Sequence, residues 1–147
     1  MLIIKKFNPR KDIKFLYSLR NNIKIRKFFF KKTIVDYLHH LTWAKNFLKN
    51  NIIFIVLYNQ TKIGYVRYTT FKNEYYISVA IHPKFRKKGF MKRAILKSEK
   101  SGITSKNRKN IYAEVLMHNK SSVKFFQSCG YKLKTINNQR IILKKLV

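Results

Sequence analysis

One stretch constrains this chain more than any other. In Ile77–Ile95 an alternating apolar run passes through a basic, glycine-bearing turn into an apolar helical run. Tyr75, Ile77, Val79 and Ile81 fall on one side of an extended chain, and Tyr76, Ser78, Ala80 and His82 on the other. Pro83 ends the ladder, because proline has no amide hydrogen to donate. Arg86, Lys87, Lys88 and Gly89 follow, and Phe90, Met91, Ala94 and Ile95 then recur at helical spacing. The first amides of a helix have no intrahelical acceptor, and the helix dipole adds partial positive charge beside them. Such a strand–turn–helix predicts a place for a phosphate group. The plain alternative is a β–α turn with a solvated basic rim.

The chain has 147 residues, 46% of them hydrophobic, enough for one domain, 1–147, with its own core. No apolar run reaches about 18 residues, so no membrane span is expected. Met1–Lys6 is apolar first and basic afterwards, which is not the order of a signal peptide. The single cysteine, Cys129, cannot form an internal disulfide; together these features lead us to expect a cytoplasmic protein. Thirty-four Lys and Arg against five acids give a formal charge of +29. That charge favours polyanions: coenzyme A, nucleotide-sugars, nucleic acid or acidic membrane surfaces. The cations are spread along the chain rather than gathered in a tail, so nucleic acid is expected only through non-specific charge.

Taken in order, Leu2–Phe7 reads as a strand, Asn8–Pro9–Arg10 as a turn, and Asp12 as the cap of a helix through Leu19. Phe28, Phe29 and Phe30 cannot all face one core; they form a buried aromatic cluster or line a groove or dimer surface. Thr33 is expected to cap a second helix that runs through Leu48 and carries His40 and Trp43 on one face. Ile52–Tyr58 and Ile63–Thr70 read as a hairpin, with Gly64 marking a bulge or a close approach. A helix from Phe90 is expected to end near Ser101–Gly102. Ile111–Met117 is a strand, Asn119 caps a helix that stops at Gly130, and two strands surround Asn137–Asn138.

Ile81-His82-Pro83-Lys84-Phe85-Arg86-Lys87-Lys88-Gly89-Phe90-Met91 resembles the acetyl-coenzyme A motif of the GNAT N-acetyltransferases, Val-x-Pro-x-x-Arg-x-x-Gly-x-(Gly/Ala). Met91 stands where that family has a small residue, and is expected to crowd the second phosphate-facing amide. Asn119-x-x-Ser122-Val123-x-Phe125-Phe126-x-x-x-Gly130-Tyr131 is similar to a second motif of the same family, Asn-x-x-Ala-x-x-Leu-Tyr-x-x-x-Gly-Phe. The order of elements matches over the whole chain. The resemblance implies an α/β (α+β) fold: a mixed, mostly antiparallel sheet of about seven strands, flanked by about four helices and splayed between the fourth and fifth strands.

The activity implied is transfer of acetyl from acetyl-CoA, as co-substrate and without a metal, to a primary amine. The backbones of Val79, Ala80 and Ile81 would meet the thioester carbonyl, and Arg86, Lys87, Lys88, Gly89, Phe90 and Met91 would hold the pyrophosphate. Asn119 would contact the pantetheine arm or serve only as a helix cap. Such a reaction needs a base and a donor for the developing oxyanion. Glu114 lies five residues before Asn119, where ribosomal-protein-alanine acetyltransferases of the family carry a glutamate base. Glu74 is the second candidate, with His40, His82 and His118 as further titratable groups. The family's general-acid tyrosine is Phe126 here, which cannot donate a proton and is expected to pack along the cofactor.

Arg20-Asn21, Arg26 and the pair His40 and Trp43 resemble the subgroup that acetylates amino-sugars on nucleotides, such as the 4-amino-sugar acetyltransferase of pseudaminic acid synthesis. That resemblance implies a nucleotide-linked amino-sugar acceptor for surface polysaccharide. Two other readings stay open: a protein or peptide N-acetyltransferase, and a catalytically idle, basic nucleic-acid-binding module on the same fold.

Overall fold

The computed structural model describes residues 1–28, 36–47, 52–103 and 110–147; the side chains at positions 40, 43–45 and 47 fall outside that description. The elements are β1 (Leu2–Lys6), α1 (Pro9–Asn21), α2 (Ile23–Arg26), α3 (Tyr37–Phe47), β2 (Ile52–Tyr58), β3 (Thr61–Phe71), β4 (Glu74–Ile81), α4 (Phe90–Ser98), β5 (Asn110–Leu116), α5 (Lys120–Ser128), β6 (Lys132–Ile136) and β7 (Arg140–Leu146). The strands form one sheet in the order β1-β2-β3-β4-β5-β7-β6. Every pairing is antiparallel except β4 with β5. This is the expected mixed seven-stranded sheet, with five described helices rather than four.

Two tight hairpins build the β2–β3–β4 meander. Asn59 and Gln60 (φ 46° and 69°) join β2 to β3, and Lys72 and Asn73 (φ 49° and 62°) join β3 to β4. Paired positive φ angles match the right-handed twist of the flanking strands. The sheet then separates two cores. On one face α4 and α5 cover Val66, Tyr68, Ile77, Ile111, Ala113 and Leu143. On the other, Ile13, Leu16 and Leu19 of α1, with Ile25 of α2, cover Ile53, Ile55, Tyr65 and Ala80. The alternation read from Tyr75–His82 is realised, with Ile77 in the first core and Ala80 in the second.

Local capping departs from expectation in several places. Asn8, not Asp12, caps α1: its side chain accepts from Arg10 N–H, and Pro9 takes the first helical position, where an amide would have no partner. Asp12 lies one turn in, fully buried. It accepts from Asn8 N–H (2.8 Å) and pairs with Lys62 (2.8 Å) and Lys5 (3.4 Å). Burial alone would raise its pKa; the hydrogen bonds from Lys62 and Asn8 and the lysine charges outweigh that and hold it low. The short helix α2 was not anticipated. Asp36 Oδ1 accepts from His39 N–H at the start of α3, whereas Thr33, Phe29 and Phe30 lie outside the described residues. Helix α4 ends at Ser98 and opens into one wide turn, Glu99–Ile103.

Candidate active site

Strands β4 and β5 meet only at Tyr75↔Ile111 and Tyr76↔Tyr112. Beyond that point β4 stays with β3 as far as Gly64↔Ile81, and β5 stays with β7 as far as Leu116↔Arg140. The sheet therefore opens into a wedge. His82 N–H donates to Ile63 O at 2.7 Å, which fixes the alternation of main-chain groups. Tyr76, Ser78 and Ala80 turn their amides to β3, and Ile77, Val79 and Ile81 turn theirs to the wedge. Of the three expected strand residues, Val79 and Ile81 thus present N–H and C=O groups to the opening. Ala80 gives its amide to β3 and its side chain to the α1 core.

Gly64 allows that close fit. A Cβ there would lie 2.4 Å from Ala80 O and 3.2 Å from the Met91 terminal methyl. Met91 is buried against this glycine and does not crowd the turn, contrary to the expectation from its size.

The wedge ends at the basic turn. Pro83–Phe85 makes one tight helical turn, and Lys87 (φ 61°) and Gly89 (φ 77°) are both left-handed. Such reversals aim successive amides into one concavity. Gly89 caps α4 without a side chain, and the space where a Cβ would stand is open. The start of α4 therefore opens on uncovered space beside Gly89, a hollow bordered in sequence by Lys87 and Lys88 and suited to a phosphate group. Phe85 and Phe90 pack beneath it with ring centroids 6.4 Å apart. Arg86 points elsewhere: its guanidinium donates to Lys24 O of α2 at 2.9 Å, tying the turn to the opposite face of the sheet.

The two candidate bases occupy opposite ends of the β4–β5 contact. Glu74 accepts from Asn110 Nδ2 at 3.1 Å at the closed end. That bond, together with the Tyr112 hydroxyl and the charges of Lys134 and Lys144, holds its pKa below the usual range. Glu114 lies four residues beyond Asn110, about 13 Å further along β5 at ~3.3 Å per residue. It is level with the wedge, and its Oε2 accepts from Arg140 Nη1 at 2.8 Å. Between the two, Tyr76 and Tyr112 stack at 5.3 Å, with Lys134 Nζ 4.6 Å above the Tyr112 ring.

A sequence profile of the Acetyltransferase (GNAT) family matches residues 17–131. The chain belongs to the GNAT acetyltransferase family. An acetyltransferase of this family takes acetyl-CoA as its acyl donor. No curated protein matches the sequence. Among solved structures, a domain from Methanocaldococcus jannaschii is similar at TM-score 0.84 and 23% identity, over 100% of this chain and 99% of that one. The ribosomal-protein-alanine N-acetyltransferase of Brucella melitensis is similar at TM-score 0.83 and 14% identity, over 99% of each chain. The spermidine N-acetyltransferase of Vibrio cholerae, in complex with CoA and spermine, is similar at TM-score 0.80 and 20% identity, over 99% and 94%. At these identities the likeness is one of fold.

Within the GNAT frame, Asn119 caps α5; its Oδ1 accepts from Ser122 N–H (3.3 Å) and Ser121 Oγ–H (3.1 Å), a role that leaves Nδ2 uninvolved. Phe126 is buried, with its ring 5.3 Å from both Phe125 and Tyr131. Tyr131 does not replace the missing acid: its hydroxyl bonds Glu99 in the core, and burial pushes its pKa far up. His82 is used structurally, its Nδ1 accepting from Lys84 N–H at 3.3 Å. His118 is exposed at the end of β5.

Of the residues expected to bind the acceptor, Arg20 and Asn21 end α1 and Arg26 ends α2; all three are half-buried, and Arg26 Nη1 donates to Asn21 O at 3.1 Å. The side chains of His40 and Trp43 fall outside the described residues. Sequence reasoning missed Tyr76, Tyr112, Arg67 and Arg140. Arg67 had left a signal, as the one charge inside the apolar run Ile63–Thr70. Among the described residues, no three His, Cys, Asp or Glu side chains gather as metal ligands, and no helix is long and apolar enough to cross a membrane.

Proposed function

We propose that this GNAT acetyltransferase moves acetyl from acetyl-CoA to the primary amine of a nucleotide-linked amino-sugar used in surface polysaccharide. The observation that carries the chemistry is the wedge: Val79 and Ile81 direct main-chain groups into it, Glu114 stands level with them, and the hollow at Gly89 closes its end.

When bound, acetyl-CoA supplies the activated acyl group. Lys87, Lys88 and the amides from Gly89 to Met91 hold its diphosphate. The Val79 N–H donates to the thioester carbonyl oxygen as negative charge develops there. Glu114 receives the proton of the attacking ammonium, directly or through one water, and Arg140 Nη1, 2.8 Å from its Oε2, holds the carboxylate in place. Phe126 cannot protonate the departing thiolate, so the sulfur leaves as the anion or takes a proton from water. Arg20, Asn21 and Arg26 line the acceptor side.

A second reading has one observation in its favour. The fold resembles a ribosomal-protein-alanine N-acetyltransferase, and Glu114 lies five residues before Asn119, where the sequence resemblance implies a glutamate base. The acceptor would then be a peptide N-terminus. The test is thiol release from acetyl-CoA with nucleotide-amino-sugars, spermidine, and acidic and basic peptides. Turnover with a nucleotide-amino-sugar is expected. Turnover with a peptide or spermidine and with no nucleotide-amino-sugar would overturn the sugar assignment and keep the acetyltransferase.

A further inference from the structure

The α1–α2 face of the sheet carries an unusual concentration of guanidinium groups. Arg67 lies on β3 directly opposite Ser78 of β4, the strand that lines the wedge. It projects to the same face as Tyr65 and Ala80, beneath the end of α1. Arg20 comes down from that end and Arg26 from α2, and all three arginines are half-buried. Arg67 and Arg26 are each close enough to act on Arg20. Burial depresses the pKa of Arg20, Tyr65 raises it, and the charges of Arg67 and Arg26 lower it further. A guanidinium cannot shed its proton at any ordinary pH, so the mutual repulsion persists.

The level matters as much as the charge. Tyr75 pairs with Ile111, so Ser78 is level with Glu114 across the wedge. Arg67, Ser78 and Glu114 therefore stand in one row on one face, more than about 10 Å from end to end, since the open wedge widens the second of its two strand spacings. One end of the row carries the proposed base, and the other a group of planar, multi-donor cations suited to phosphate oxygens.

We propose that Arg20, Arg26 and Arg67 together receive a phosphate or diphosphate group of the acceptor, so that the substrate is a phosphorylated amine. This rests on the reading that the acceptor approaches from the α1–α2 face. The site is separate from the cofactor hollow at Gly89 and excludes polyamines and strongly basic peptides by repulsion. It gives the enzyme two anion sites, one for each substrate.

The test is calorimetric titration of inorganic pyrophosphate into protein first saturated with CoA, at a salt concentration that suppresses diffuse attraction. One equivalent is expected to bind. Arg67→Gln and Arg20→Gln should each weaken it about 10-fold or more, as loss of a charged hydrogen-bonding partner does. Arg67→Lys should fall between these variants and the unaltered chain. Lys97→Gln on α4 should leave binding unchanged, and circular dichroism reports whether each variant is folded. Absence of binding once CoA is in place would overturn the proposal, as would equal losses in Lys97→Gln and Arg67→Gln. Failure of CoA itself to bind would instead strike the acetyltransferase reading; the loss between the unaltered chain and Arg67→Gln, with pyrophosphate titrated into the free proteins, would then still report on the arginines.

Discussion

In the proposed arrangement the working groups on the cofactor side of the wedge belong to the main chain: the amides of Val79 and Ile81, and those that begin α4 after two left-handed residues. On the proposed acceptor side they would be side chains drawn from α1, α2, β3, β5 and β7: Arg20, Arg26, Arg67, Glu114 and Arg140. Main-chain geometry is written in a short local sequence, because a glycine, a proline and a helix start fix it wherever they occur together. A side-chain cluster exists only once the sheet register and two helices have brought distant residues to one face. The first kind of site tolerates change in the side chains around it; the second changes its ligand with one substitution. This is how one fold can keep a single acyl donor while its acceptors differ.

Four substitutions probe that contrast, beginning with the largest effect. Glu114→Gln removes the proposed base on the acceptor side and should lower kcat/KM by about 10²- to 10⁴-fold, with acetyl-CoA affinity unchanged. An unchanged rate would move the base elsewhere, Glu74 being next in line. Asp12→Asn tests how the acceptor helix is anchored. It breaks a buried carboxylate–lysine pair and should cost about 3 kcal/mol in denaturant unfolding, the lower end for buried pairs because both lysines reach water. Because the folded pKa lies below the ordinary 3.8, the contribution of Asp12 is complete above that value and is lost as pH falls through the folded pKa. The variant should therefore show a shallower acid limb than the unaltered chain.

Gly64→Ala tests the cofactor side through packing. The new methyl meets Ala80 O, which must shift, so a loss of about 2 kcal/mol and a raised KM for acetyl-CoA are expected. Gly89→Ala meets no atom and carries only the strain of its left-handed φ, about 1 kcal/mol. Its effect should appear as a few-fold weaker cofactor binding in calorimetry, with acceptor KM unmoved. A larger effect on the acceptor than on acetyl-CoA in either glycine variant would erase the distinction between the two sides.

The chain reads clearly where structure is local. The meander, the strand that lines the wedge, the turn at Gly89 and the helix capped by Asn119 all follow from alternation, proline and glycine placement, and capping chemistry. The cap of α1 was misread because Asp12 looks like an N-cap in isolation. Only the fold shows that its carboxylate is needed one turn later, against Lys62 and Lys5. Met91 was judged by its volume at the turn, but helical direction carries its side chain inward to Gly64. Arg67 went unnoticed although it is the one charge in the run Ile63–Thr70. Its neighbours Arg20 and Arg26, some forty residues or more earlier, could not be joined to it before the sheet and α1 were placed.

The most direct measurement is an amide-resolved NMR titration of the ¹⁵N-labelled protein with acetyl-CoA. If the hollow at Gly89 grips the diphosphate and the acyl group lies in the wedge, the amides of residues 87–91 and of Val79 and Ile81 will shift together and saturate at one equivalent. Saturable shifts gathered on another surface, with the residue 87–91 amides unmoved, would contradict that placement.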